Sequence, residues 1–452
     1  MWGAGMGLRG DGDSESRFAA YVERLAAIVG HADREAPLRA YCTGLILPGE
    51  RKSVEPLAAR MAPGRVRAAH QSLHHFVAKA DWSDAAVLAA VRAAVLPVLE
   101  RQAPVRAWIV DDTGFPKKGA HSVGVARQYC GQFGKQDNCQ VAVSLSVASD
   151  QASLPVGYRL YVPEAWANDP TRRDKAGVPD DVVFQTKPRI ALDQIRAALA
   201  AGVPPGVVLA DAGYGVDTAF RTALSGLGLD YIVGIQSATS LWPPGEMPLL
   251  AKPWSGRGRP PSLLRRASGH RPVSAEQLAV SLPKDAWRVV TWREGSKAPL
   301  ASRFAAVRVR PAHRDYNRAA PRPEEWCLIE WPRAEAAPSK YWLATLAADT
   351  PLATLVDLAK LRWRIERDYQ ELKQEVGLDH YEGRGWRGFH HHATLCIAAY
   401  GFLVAERGRI PPSGPDARPR LKAPRIPKSY RPRGAADPAR TPCRQLDRNP
   451  AH

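Results

Sequence analysis

The sequence predicts a mixed α/β core with a β-rich insertion and a helical region in front of it, on three observations. Residues 17–101 carry an apolar repeat of helical period, with Phe18, Tyr21, Leu25 and Ile28 at i, i+3, i+7 and i+10. From residue 105 the pattern changes to strand-like runs and then alternates with helical stretches. Between 237 and 338, Pro, Arg and Trp interrupt that alternation, and the remaining apolar runs are short.

Taken in order, residues 1–15 are Gly-rich and charged without an apolar stretch, which predicts disorder and no secretory signal. Residues 16–102 form a helical domain whose apolar repeat returns at 88–99. Its segment 64–76 is basic and aromatic, which suits DNA, although no strict helix-turn-helix pattern is present. The first part of the core, 103–236, holds strands at 105–110, 140–147 and 154–162. A helix at 184–201, a strand at 207–210, a helix at 216–227 and a strand at 231–235 follow. The insertion, 237–338, offers strands at 287–292, 304–309 and 326–331. The second part of the core, 339–405, opens with a returning strand at 340–345 and a helix from about residue 351. Residues 406–452 are rich in Pro, Arg and Lys without apolar periodicity, which predicts a disordered basic tail.

The net charge is +18. Residues 407–452 hold 12 Lys/Arg against 3 Asp, a net of +9, so half of the excess sits in the last tenth of the chain. A polyanionic partner follows, most simply nucleic acid. No apolar run approaches the roughly 20 residues of a membrane-spanning helix. The six cysteines form no CxxC pair and read as free thiols in a reducing cytoplasm. Three adjacent histidines, His390 to His392, point in different directions on a helix and do not suit one metal ion.

Three acids carry the chemistry. The first strand runs into Asp111-Asp112-Thr113-Gly114, and the strand at 207–210 ends at Asp211. Ligand sites of open α/β sheets lie at the carboxyl ends of strands. On the helix through residues 361–373, Arg362, Glu366, Tyr369 and Lys373 fall within roughly 60° of one another. Singly, each acid is a turn-forming Asp or a solvated i,i+4 pair; the set outweighs that reading. Three converging carboxylates suit Mg²⁺ or Mn²⁺. Two such ions about 4 Å apart can activate the attacking oxygen and stabilise the leaving oxygen of a phosphodiester. Arg362 and Lys373, with Tyr369 on their face, would contact phosphate. Arg384, Trp386 and Arg387 in a Gly-rich segment could grip DNA, as could Lys117 and Lys118. Strand alternation puts Asp111 and Asp112 on opposite faces, so one of the two enters the site. A haloacid-dehalogenase-like phosphatase is heavily disfavoured, because Val110 stands two residues before Asp112 and Thr113 two after Asp111.

The run Asp-Asp-Thr-Gly-Phe-Pro-Lys-Lys-Gly (111–119), the segments 121–129 and 138–143, and the helical pattern Arg362-x₃-Glu366-x₆-Lys373 resemble bacterial insertion-sequence transposases of the DDE type over residues 15–405. The resemblance implies an RNase H-like core with a β-rich insertion before the glutamate helix. It implies that Asp112, Asp211 and Glu366 are the catalytic, metal-binding triad, with two Mg²⁺ or Mn²⁺ ions as cofactors. Arg362 and Lys373 match the Arg and Lys of the family's Tyr-Arg-Glu-Lys signature, and Ala359 stands at its Tyr position. The implied activity is cleavage of double-stranded DNA at terminal inverted repeats and transfer of the 3′-OH to target DNA, by a homodimer on the bacterial nucleoid. Two alternatives are a nuclease of the same fold without strand transfer and a transposase-derived DNA-binding protein that has lost catalysis.

Overall fold

The computed structural model describes residues 13–294 and 299–409. Most of the stretches expected to be disordered, residues 1–15 and 406–452, lie outside the described residues, but Ser14 and Glu15 open α1 and Glu406 and Arg407 close α14. The N-terminal helices are α1 to α5: Ser14–Val29, Ala32–Ile46, Val54–Met61, Val66–Ala78 and Asp84–Gln102. Local chemistry sets their ends. Asp13 caps α1 by accepting from Ser16 N at 2.8 Å, and Gly30 ends it with φ 77°, a left-handed conformation that glycine adopts freely. Ser83 caps α5 in the same way, at 3.2 Å from Ala86 N.

A meander follows: β1 (Ala107–Pro116), β2 (Ala126–Cys130), β3 (Lys135–Ala148) and β4 (Ser153–Leu160). Next come α6 (Glu164–Ala167), α7 (Pro170–Ala176), α8 (Lys187–Ala200), β5 (Val207–Ala210), α9 (Ala212–Gly215), α10 (Thr218–Gly226) and β6 (Tyr231–Ile235). The insertion supplies β7 (Ser240–Trp242), β8 (Val273–Ser274), α11 (Ala275–Ser281), β9 (Arg288–Glu294), β10 (Pro299–Pro311) and β11 (Glu325–Trp331). The chain then forms β12 (Lys340–Ala344), α12 (Leu352–Leu361), α13 (Trp363–Glu371) and α14 (Trp386–Arg407).

The mixed α/β fold read from the sequence is present. β1, β5 and β6 are parallel neighbours, while β3 joins β1 and β12 joins β6 antiparallel. The sheet runs β2-β3-β1-β5-β6-β12-β11-β10-β7-β8, with β4 on β3 and β9 on β10. The insertion strands therefore prolong the core sheet through β12. Sequence patterning misses this continuity because backbone hydrogen bonding between distant strands leaves no periodic mark.

Helix α14 packs against the N-terminal helices. Its residues from Gly388 to Phe402 are all buried, and each buried aliphatic side chain contributes ~1.5–3 kcal/mol. Tyr21 on α1 donates to Ala398 O at 2.9 Å. Tyr41 on α2 meets His392 Nδ1 at 2.8 Å, and His392 Nε2 meets Gly377 O at 3.0 Å. Burial pushes His392 down to about 4, so the neutral ring donates to Gly377 and accepts from Tyr41. No helix among the described residues is long and apolar enough to cross a membrane.

Candidate active site

Two parallel strands and one helix bring the acids together. Ala107, Trp108 and Ile109 lie beside Val207, Val208 and Leu209. Continuing that one-to-one step brings Asp111 level with Asp211 and onto the same face. Asp211 leaves β5 as the N-cap of α9, its Oδ1 accepting from Gly213 N at 2.8 Å. The short turn of α9 sits flat on β6 because neither partner has a side chain there. A Cβ on Gly215 would stand 1.9 Å from Gly234 O.

Arg362, at the junction of α12 and α13, joins the acids. Its Nη1 donates to Asp111 Oδ2 at 2.7 Å and its Nη2 to Glu366 Oε1 at 3.1 Å. Asp211 is close enough to contribute to the raised pKa of Arg362. Burial raises Asp111 to about 6, opposed by Arg362 and reinforced by Asp211. The Glu366 side chain is 65% exposed, so it can turn toward a ligand. An open cleft of about 500 Å³ in front of it is lined by Asp211, Arg362, Glu366, Trp292, Lys360 and Trp363.

Asp112 faces the other way, as alternation requires. Lys187 Nζ at the start of α8 donates to its Oδ2 at 2.5 Å, and the Tyr214 hydroxyl donates to its Oδ1. Tyr214 is buried, and burial followed by the charge of Asp112 holds its pKa well above the usual range, so it keeps its proton as a donor. The acid that shares Arg362 with Glu366 is thus Asp111, while Asp112 pins the α8 and α9 starts. Sequence reasoning passed over Lys187 and Tyr214. No local sequence signal marks either, because both reach Asp112 only across the folded sheet.

The other expected contacts divide. Lys373 Nζ donates to Gly114 O at 2.7 Å and lies 5.0 Å from the Phe115 ring centroid; burial lowers its pKa. Tyr369, expected on the phosphate-facing side, is buried, and burial first and the nearby Asp111 charge after it raise its pKa. Lys117 is spent on Tyr381 O at 3.1 Å, while Lys118 is exposed. The segment read as a basic loop becomes the start of α14. There Trp386 packs on His390, with ring centroids 4.1 Å apart, and Arg387 Nη1 donates to Lys79 O at 2.8 Å. Arg384 remains exposed beside the loop, its carbonyl accepting from Val123 N.

The donor chemistry of Asp111, Asp211 and Glu366, hard carboxylate oxygens alone, fits Mg²⁺ or Mn²⁺. With the Arg362 guanidinium bonded to two of these acids, no three His, Cys, Asp or Glu among the described residues are grouped to hold an ion. The arrangement is an acidic cluster with a resident counter-charge.

Comparison with known proteins extends this picture. Residues 24–299 match the family described as DDE superfamily endonuclease. Over 168 residues, 37% of this chain and 41% of the other, the chain is 33% identical to the "Probable transposase for insertion sequence element IS701" of Microchaete diplosiphon. The aligned part spans less than half of that relative's length. The family match includes Asp111, Asp112 and Asp211 and ends before Glu366, so Glu366 joins the site on its geometry.

Proposed function

The chain belongs to the DDE superfamily endonucleases, and from that premise we propose that it is a DNA transposase whose acids are Asp111, Asp211 and Glu366. Endonucleases of this superfamily generally work with divalent metal ions. The observation that carries the reading is Asp111 and Asp211 level on one sheet face, with Arg362 bridging Asp111 to Glu366. Asp112, the acid first expected in the site, gives way to Asp111 because its oxygens serve Lys187 and Tyr214.

Asp111, Asp211 and Glu366 would hold Mg²⁺ or Mn²⁺, in two ions on this reading. When bound, the metal supplies Lewis acidity to the attacking and leaving oxygens of a phosphodiester. Arg362, no longer needed as counter-charge, is placed to take a DNA phosphate in its planar fork. Lys373 holds the β1 backbone at Gly114. Asp112, through Lys187 and Tyr214, keeps the Asp211 turn in register with Asp111. The substrate is double-stranded DNA with terminal inverted repeats, cut to release a 3′-OH that is joined to target DNA. Pairing two ends calls for a homodimer on DNA, acting on the nucleoid in the bacterial cytoplasm.

The test uses the full chain with end-labelled DNA carrying the inverted repeats that flank its gene, plus a target plasmid. Joined product supports the transposase; cleavage without joining assigns a nuclease of the same fold. Neither product from a DNA-bound protein assigns a binding protein without catalysis.

A further inference from the structure

The β2–β3 hairpin carries two large aromatic side chains with no place in the site described above. β2 lies at one edge of the sheet. Along it Arg127 and Tyr129 turn outward, while Cys130 is buried. Tyr129 is 59% exposed and Phe133, in the turn, 48%. Cations flank both rings. Arg127 shares the outward face of Tyr129, and Lys135 Nζ lies 6.0 Å from the Phe133 ring centroid. Lys135 also pairs with Asp137 at 3.8 Å, whereas Arg127 makes no ion pair among the described residues. Single exposed aromatics are ordinary. Two on one tip, bracketed by cations, match what a nucleic-acid strand offers: flat bases and phosphates.

The hairpin is also anchored on β1. Gly114, three residues beyond Asp111 on β1, packs against Cys130 so closely that a Cβ there would stand 2.9 Å from its Sγ. The Gly114 carbonyl accepts from Lys373, in the turn that continues the Glu366 helix. By strand alternation Gly114 shares the face of Asp112 rather than that of Asp111, so the base of the hairpin packs on the opposite side of β1 from the acids around Arg362.

Resting on the DNA-processing reading above, we propose that this tip is a stacking finger for an unpaired base of the bound DNA. Tyr129 and Phe133 receive the base, and Arg127 and Lys135 meet the neighbouring phosphates. Bases inside a duplex have both faces covered, so the finger favours frayed or opened DNA. A second copy of the same tip is disfavoured, because it brings like charges together in a chain of net charge +18.

The test is fluorescence anisotropy of the full chain with a labelled flush duplex and the same duplex carrying a short unpaired end. The doubly substituted Tyr129→Ala/Phe133→Ala chain should bind the unpaired-end DNA at least about tenfold more weakly and the flush duplex nearly as before. Tyr129→Phe, which keeps a ring, should retain wild-type affinity for both. Arg127→Ala should weaken both and flatten the salt dependence by about one unit. Equal loss on both DNAs, or no loss on either, overturns the finger. Lost self-association with DNA binding intact makes the tip a contact between copies, which also overturns it. A wild-type chain that binds neither DNA sinks the functional reading itself. The exposed substitutions should leave thermal unfolding unchanged, so a folding defect is separable.

Discussion

Asp111 and Asp112 are neighbours on one strand, yet they live in different chemistry. Asp111 looks toward α13, where Arg362 and Asp211 surround it and burial raises it to about 6. Asp112 looks toward α8 and is held by Lys187 and Tyr214. One face of β1 gathers acids around a displaceable cation; the other fastens acid to cation and phenol. The lesson is that identical residues one step apart acquire different partners from the face they occupy, and the proposed reacting and bracing roles follow from those partners.

The largest effect that can break this comparison is on cleavage. Asp111→Asn should lower DNA nicking on the order of a thousandfold, and Asp112→Asn by about tenfold, as a bracing residue acting through α9 would. Equal losses in a nicking assay would erase the distinction. Metal binding separates the faces next. At a concentration near a hundred times its Kd, Mn²⁺ should stabilise the wild type and Asp112→Asn by about 2.7 kcal/mol. It should leave Asp111→Asn and Asp211→Asn unshifted in a thermal melt. A melt in which Asp112→Asn alone loses the response would restore Asp112 to the site.

Gly215→Ala probes the turn both faces share. Its new Cβ meets backbone at Gly234, so the turn must move, at a cost of about 2 kcal/mol. Urea unfolding should show that loss, and an unchanged midpoint would mean that α9 is not held by this contact. Tyr214→Phe is the smallest change. Losing a hydrogen bond to a charged acceptor should destabilise by roughly 1.5 kcal/mol and reduce nicking a few-fold without altering the Mn²⁺ response. A lost Mn²⁺ response would move Tyr214 from bracing to the site itself.

Much of this was legible in the sequence. Strand-end acids, the cation-flanked Glu366 and the change of period at residue 105 announce the α/β class and the chemistry, because periodicity and strand ends are local properties. Less local features were not. The choice between Asp111 and Asp112 depends on strand register. The burial of Tyr369 depends on which face of α13 meets the sheet. Trp386 reads as a loop residue because Gly383 and Gly385 precede it, yet it opens a helix buried against α5, α2, β4 and α4.

By itself, then, the sequence determined the class of fold, the basic character and the three chain segments that meet in the site. Only the tertiary structure decided which aspartate meets Arg362, which cations are already engaged, and that the insertion strands prolong the core sheet. The physical reason is range: side-chain period and capping act within a few residues, whereas register, ion pairing and burial are settled between residues such as Asp111 and Arg362, which meet only when the chain is folded.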